Sequence, residues 1–280
     1  MGRKRAYTHS FAKIYDDIMK YVPYDFWYSY LNELINYYDI RVNKVLDLAC
    51  GTGNMSIRFA RDYKRVLGID ISGEMLKIAR GKVSNKRKKN IEFIKSDIRS
   101  FDLSQKVDLV FSVFDSLNYI LSKSDMGKVF NHVYRNLNND GIFIFDLNTI
   151  KRLMSIEPGT SMFTGDNYTC FWKDIVKPEA KKWRVKLKIH FDDSDDYYEE
   201  VHEETGYPLS EVREILMRTG FEYVKIFRAY TFEKGSEKDN RVYFVVLKNS
   251  SIFDKRNILA NLKYRLKWKL KRNICLKYSW

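Results

Sequence analysis

Cysteine and proline are both scarce in this 280-residue sequence, which has three of the first and four of the second. The cysteines, Cys50, Cys170 and Cys275, are odd in number and far apart, so they give neither a disulfide framework nor the close pairs of a structural zinc site. Few prolines, with 45% hydrophobic and 15% aromatic residues, exclude collagen-like, mucin-like and low-complexity chains. Enough apolar side chain remains to offset the entropy of ordering. No uncharged apolar run approaches the ~18 residues of a membrane-spanning helix. Met1 to Arg5 lead into Tyr7-Thr8-His9-Ser10, not into the apolar stretch of a secretory signal. The expectation is a soluble, cytoplasmic protein. No internal repeat is visible, which removes solenoids and propellers.

What the sequence has in excess is positive charge, +14 overall. It is concentrated at one end: residues 251–280 hold nine Lys and Arg against one acid, Asp254. Leu259, Leu262, Leu266, Leu270 and Ile274 recur at helical steps, while 262–271 also alternates strictly, so periodicity leaves helix and strand open there. As a basic helix this tail suits an anionic membrane surface or nucleic acid. The plainer reading is a segment docked on its own domain or extended from it. The run Lys86 to Lys89 falls between a helix and a strand and reads as a solvated loop.

The rest of the chain alternates strand and helix signals. Lys44–Ala49 is an apolar run ending in glycines, followed by a helical pattern over 54–63. Strand signals recur at Arg65–Asp70, Ile91–Ile94, Val107–Val113 and Gly141–Asp146, with helices from Ser72 through Lys82 and over Asp125–Leu137. This pattern predicts an α/β fold, a Rossmann-like doubly wound, mostly parallel sheet. After Asn148 the rhythm changes to period two over 168–172, 183–191 and 197–204, the mark of an antiparallel β-ribbon insertion. A helix over 208–217 and an antiparallel pair at 223–231 and 241–247 complete the core. The expected organisation is an N-terminal helical cap (1–40), a cofactor-binding core (41–150), an inserted β lid (151–206), completion of the core (207–250) and the basic tail (251–280).

Gly51 and Gly53 sit where the first strand meets the first helix, a place where a ligand can approach bare backbone. Asp70 ends the second strand, about where an acid accepts the two hydroxyls of an adenosine ribose. The pattern therefore indicates a nucleoside site. A dinucleotide would want a third small residue where Ser56 stands, and its pyrophosphate would be repelled by Asp47 beside the loop. S-adenosylmethionine has no phosphate and carries an ammonium and a sulfonium, so Asp47 attracts it. No Gly-Lys-Ser/Thr follows the glycines, which excludes a Walker loop.

These residues resemble the class I S-adenosylmethionine-dependent methyltransferases over roughly residues 10–250. Leu46-Asp-Leu-Ala-Cys-Gly-Thr-Gly53 is similar to the family's first motif, Gly68-Ile-Asp-Ile-Ser-Gly-Glu-Met75 to its second, and Lys95-Ser-Asp-Ile98 to its third. The resemblance implies a loop of Asp47, Ala49, Gly51 and Gly53 around the cofactor, Asp70 on the ribose, and Ile71 and Met75 on the adenine. It also implies Asp97 on the adenine amine and Ile98 giving a backbone N–H to the ring. The exit of the fourth strand, Phe111 to Asn118 with Ser112, would face the methionine part. Ser116-Leu-Asn-Tyr119, the β ribbon and Tyr15, Tyr24 and Trp27 look like the subgroup of small-molecule N-methyltransferases, in which the N-terminal segment and ribbon cover the cofactor. The implied activity is methyl transfer from S-adenosylmethionine to a nitrogen of a small-molecule acceptor, in preference to an oxygen. An RNA or protein methyltransferase recruiting through the tail, or a non-catalytic cofactor-binding or membrane-associated scaffold, remain as alternatives.

Three residues are candidates for the chemistry itself. His202 lies on a lid strand, facing away from acids at odd positions, and can take an acceptor's proton. Tyr15 can bind the cofactor carboxylate or line the methyl site, or it can pack on the core. Asp115 directly follows a strand's carboxyl end. Tyr24, Trp27 and Tyr119 can enclose a cation with their ring faces or simply pack. Asp115, Asp146 and Asn148 are spaced poorly for magnesium, because Leu147 separates the last two, so no metal is expected. His9, His132 and His190 read as structural. Neither an Asn/Asp-Pro-Pro-aromatic turn after the fourth strand nor a Pro-Cys nucleophile is present, which disfavours base methylation.

Overall fold

In the computed structural model, which describes residues 6–85, 89–251, 268, 269 and 272, the near-continuous apolar runs become strands buried on both faces. The order is α1 (His9–Ile18), α2 (Tyr24–Tyr37), β1 (Lys44–Leu48), α3 (Asn54–Phe59), β2 (Arg65–Asp70), α4 (Gly73–Lys82), β3 (Ile91–Lys95) and β4 (Val107–Ser112). A 3-10 turn (Ser116–Tyr119), α5 (Lys123–Asn136), β5 (Leu137–Asn148) and α6 (Ile150–Met154) follow. Then come β6 (Gly159–Gly165), β7 (Tyr168–Lys177), β8 (Lys182–Phe191), β9 (Tyr197–Thr205), α7 (Leu209–Thr219), β10 (Tyr223–Arg228) and β11 (Arg241–Leu247).

The central sheet has seven strands in the order β10-β11-β5-β4-β1-β2-β3. β1 to β5 are mutually parallel, and β11 lies antiparallel between β5 and β10. This is the predicted Rossmann-like sheet, and its strand order reverses at β1, so that β1 and β4 open a crevice at their carboxyl ends. Ser72 caps α4 by accepting the Met75 N–H, as its position before the helical pattern led one to expect, and Ser122 caps α5 in the same way. β5 begins at Leu137 rather than Gly141 because Leu137 already pairs with Val107 of β4, ahead of a register shift.

The insertion forms a separate four-stranded antiparallel sheet, β6-β7-β8-β9. Its edge strand β6 is missing from the sequence reading for a physical reason. Every residue from Gly159 to Thr164 is exposed, so no alternation of apolar and polar residues marks it. The inner face of the lid (Cys170, Val185, Leu187, Ile189) closes on α1 through Phe11, Ala12, Ile14 and Tyr15 and on Met75 of α4. The N-terminal helix is thus held between lid and core.

The basic run at 86–88 and most of the tail lie outside the described residues. Trp268 is described: it is 2% exposed, stacks on Phe26 of α2 at 5.7 Å, and donates its indole N–H to the Tyr230 carbonyl at 3.0 Å. At this point the tail meets its own domain. Removing residues 252–280 uncovers Phe26 and Tyr30 and is expected to lower unfolding free energy by about 2 kcal/mol, from the value of burying one large apolar side chain. Urea denaturation of the truncated chain checks this. Among the described residues no helix is long and apolar enough to cross a membrane.

Candidate active site

A cavity of about 800 Å³ opens at the carboxyl ends of β1, β2 and β4, between the central sheet and the N-terminal segment. The loop from β1 to α3 forms its floor. Ala49, Gly51 and Gly53 all have left-handed backbone there, with φ of 58°, 54° and 75°. A Cβ on Gly53 would stand 2.7 Å from the Phe93 ring, so only glycine fits. The Asp70 carboxylate braces this loop, accepting the Gly51 N–H and the Ser72 N–H at 2.8 Å each. Asp16 of α1 clamps the same loop, accepting from Thr52 (2.7 Å), Asn54 (2.9 Å) and Lys82 (2.7 Å).

Asp47 faces the cavity but is only 2% exposed, and Ser56 Oγ donates to it at 2.5 Å. Burial, reinforced by the neighbouring Asp70 charge, pushes its carboxyl up to about 8. The folded chain therefore holds this proton more tightly than the unfolded chain, whose aspartate titrates near 3.8. The resulting contribution to stability is complete below that value and is lost as pH rises through about 8. Asp47→Asn has no such loss. The ligand-free variant is expected to gain on the wild type across this window by up to about 1.4 kcal/mol per pH unit, as measured by urea denaturation at pH 5 and pH 8.

S-adenosylmethionine fits this donor set. Ile71 is 61% exposed at the cavity wall beside Asp70, an apolar plate for a base next to an acid for a ribose. The Tyr24 hydroxyl, also in the wall, is a buried polar atom without a hydrogen-bond partner among the described residues, and burial pushes it up to about 12, so it stays a neutral donor. Asp97 lines the cavity, but its carboxylate is gripped by Arg99 (Nε at 2.9 and 3.1 Å), which holds it below its ordinary range. Asp97 therefore meets an adenine only with whatever accepting capacity Arg99 leaves.

The other end of the cavity is aromatic: Tyr7, Tyr15, Tyr24, Trp27, Phe114 and Tyr119 line it. Residues 6–8 cross over it as a strap. Ser72 Oγ donates to the Tyr7 carbonyl (2.7 Å), the Tyr7 hydroxyl donates to the Tyr119 hydroxyl (3.0 Å), and the Thr8 N–H donates to Glu200 on β9 (3.0 Å). Phe114 and Asp115 are consecutive non-glycine residues in left-handed backbone, φ 66° and 52°, at the β4 exit.

Behind this wall lies a buried polar cluster. Arg241 of β11 binds Asp115 (2.7 Å) and Asp146, and Asp146 also accepts the Asp115 N–H at 2.9 Å. Glu204, 2% exposed, completes the group, its carboxyl pushed well up by burial and by the Asp115 charge. Asn118 ties the 3-10 turn to the lid by donating to the carbonyls of Asn148 and Thr205, both at 3.0 Å.

The structure brings Asp47, Ala49, Gly51, Asp70, Ile71, Met75, Asp97, Ile98 and Tyr15 to one cavity. It places Gly53 just beneath the wall. Ser112 must be moved from the expected position: its hydroxyl is buried inside the sheet, donating to the Leu48 carbonyl at 3.0 Å. Asp115 turns away from the cavity toward Arg241. His202 is also set back, 5% exposed behind Tyr7 and Tyr119, and communicates with the cavity through Tyr119 at 3.2 Å. Asp16, Glu200, Glu204 and Arg241 escaped the sequence reading. For Glu200 and Glu204 a signal existed, since residues at even positions share the inner lid face with His202.

Residues 45–141 match the family described as "Methyltransferase domain". The chain is 30% identical over 246 residues to "Putative methyltransferase YqeM" of Bacillus subtilis (strain 168), covering 86% of this chain and 97% of that protein. It is 28% identical over 143 residues to the dTDP-4-amino-2,3,4,6-tetradeoxy-D-glucose N,N-dimethyltransferase of Saccharopolyspora spinosa, covering 50% of this chain and 55% of that one. Among solved structures, a S-adenosylmethionine-dependent methyltransferase from Clostridium acetobutylicum ATCC 824 superposes with a TM-score of 0.73 at 26% identity, over 85% of this chain and 98% of the other.

Proposed function

Because the chain belongs to the class I S-adenosylmethionine-dependent methyltransferases, we propose that it transfers a methyl group to a nitrogen of a small molecule. Its cofactor is S-adenosylmethionine, which supplies, when bound, an electrophilic methyl group on a positively charged sulfur. Asp70 is the residue to hold the ribose, Ile71 and Met75 to cover the adenine, and Asp47 with the Gly51 loop to receive the cationic end. Such displacement needs alignment and exclusion of water more than covalent help. Asp16 and Asp70 fix the loop, while the strap covers the cavity and the lid holds the strap through Glu200. Thr8, Tyr7 and Ser72 knit these parts together through the hydrogen bonds already described.

The observation that carries the nitrogen acceptor is the aromatic end of the cavity. Ring faces of Tyr7, Tyr15, Tyr24, Trp27, Phe114 and Tyr119 favour an amine that is positive before or after the reaction. Among the described lining residues the only Lys and Arg are Lys95 and Arg99, both at the β3 end. The partial match to a sugar N,N-dimethyltransferase supports the same acceptor chemistry. Incubation with methyl-labelled cofactor and glycine, benzylamine or dTDP-3-amino-3,6-dideoxy-α-D-glucopyranose tests it. Label on nitrogen in at least one amine is expected. Label only in hydroxyl analogues, RNA or protein would replace this reading.

A further inference from the structure

Given the amine acceptor proposed above, every turnover must remove one proton from nitrogen, and the cavity wall itself has no imidazole in direct reach except exposed His9 at the cofactor side. His202 stands one hydroxyl behind that wall. Its Nδ1 is 3.2 Å from the Tyr119 hydroxyl, which in turn accepts from the Tyr7 hydroxyl at 3.0 Å; Tyr7 and Tyr119 both line the cavity. Its Nε2 faces Glu200 Oε2 at 3.4 Å, and neither of these two buried atoms has another hydrogen-bond partner among the described residues. The other Glu200 oxygen accepts from the Thr8 N–H and hydroxyl. A buried carboxylate oxygen and a buried ring nitrogen with only each other as partners favour a ring N–H on Nε2 directed at Glu200, which leaves Nδ1 free to accept.

The geometry points to a proton exit path that runs from the acceptor nitrogen through the Tyr7 and Tyr119 hydroxyls to His202, with Glu200 as the counter-charge. The acceptor N–H bond breaks with its electron pair left on nitrogen. The proton joins the Tyr7 oxygen as the Tyr7 proton passes to Tyr119 and the Tyr119 proton to His202 Nδ1. Both tyrosines end neutral, and the imidazolium is balanced by Glu200. His202 and Glu200 act through the tyrosines and are positioning residues.

The surroundings suit this direction of transfer. The other titratable groups facing the path are Tyr15 on α1, Cys170 on β7, pushed up to about 11 by burial and the nearby Glu200, and Asp115 and Glu204 beyond the tyrosines. Burial first, and then these neighbours, raises both tyrosine hydroxyls well above their ordinary value, so they relay protons without resting as phenolates. The rings of Tyr7 (4.8 Å) and Phe11 (5.0 Å) stand edge-on to the imidazole and fix its plane.

The path fixes the tautomer of His202, which can be read without any acceptor. The sequence has only four histidines, so nitrogen NMR of histidine-labelled protein in complex with S-adenosylhomocysteine resolves each one. A proton on Nε2 and a bare, accepting Nδ1 are expected, the Nδ1 signal moving in Tyr119→Phe and the tautomer preference being lost in Glu200→Gln. A proton on Nδ1 with a bare Nε2 would overturn the path, because such a ring gives a proton to Tyr119 and cannot take one. In the second arm, both variants are assayed with whichever of the three amines named above the wild type methylates. Each is expected to lose about 100-fold in kcat, with KM and S-adenosylhomocysteine affinity within a few-fold of wild type and activity recovering as pH rises. Unchanged kcat in both variants would also overturn it. If no amine is methylated by the wild type, the nitrogen reading fails while the tautomer still decides the direction of the relay.

Discussion

Asp70→Ala is expected to weaken S-adenosylhomocysteine binding about 1,000-fold. The carboxylate is the one acid at the tip of β2 that can accept both ribose hydroxyls, and charge-assisted hydrogen bonds contribute roughly 1.5–3 kcal/mol each. Two such bonds amount to about 4 kcal/mol, which is three decades in the dissociation constant. The same substitution frees the Gly51 and Ser72 N–H groups, both held at 2.8 Å by Asp70, so the glycine loop loses its brace as well as its ligand. Titration calorimetry reads the result directly. A loss of less than tenfold would mean that the nucleoside is held elsewhere.

Arg241→Met is expected to cost about 3–5 kcal/mol of stability, the usual penalty for leaving buried charge without its partner. One guanidinium serves Asp115 and Asp146, with Glu204 adjoining the same group. The loss should grow with pH. Burial holds the Asp146 and Glu204 carboxyls above their ordinary range, so both take up protons more readily in the folded chain than in the unfolded one. Acid thus relieves the unpaired charge, and stability falls as pH rises through their folded values. Urea denaturation of the variant at pH 5 and pH 8 separates this from simple loss of packing, which would give the same deficit at both.

The cofactor half of the site was legible because it is local. Gly51 and Gly53, Asp70 and Met75 lie within two consecutive strand-loop-helix units, where backbone geometry fixes which residue types fit at which spacing. The acceptor half was less so, because it is assembled from distant segments. Tyr7 meets Tyr119 across 112 positions and Arg241 meets Asp115 across 126, and nothing in local periodicity links such pairs. His202 shows the intermediate case. Alternation along its strand placed it correctly apart from the acids at odd positions, but the inner-face neighbours Glu200 and Glu204 follow from the same alternation and were passed over. The family resemblance turns Ser112 at the exit of β4 toward the ligand, yet its hydroxyl is spent on the carbonyl of Leu48 in the next strand. β6 escapes sequence reading for the opposite reason to the core strands: it pairs with β7 at the sheet edge and buries almost nothing.

The account depends on a cavity floor that receives a positively charged sulfur nucleoside beside Asp47 and Asp70. Calorimetric titration with S-adenosylmethionine at pH 7, run in two buffers of different ionisation enthalpy, tests this most directly. Binding is predicted to release protons to the buffer as the Asp47 carboxyl, held up to about 8 by burial, gives up its proton to face the cation, and Asp47→Asn is predicted to suppress that release. Tight uptake of NADH with no heat from S-adenosylmethionine would contradict it.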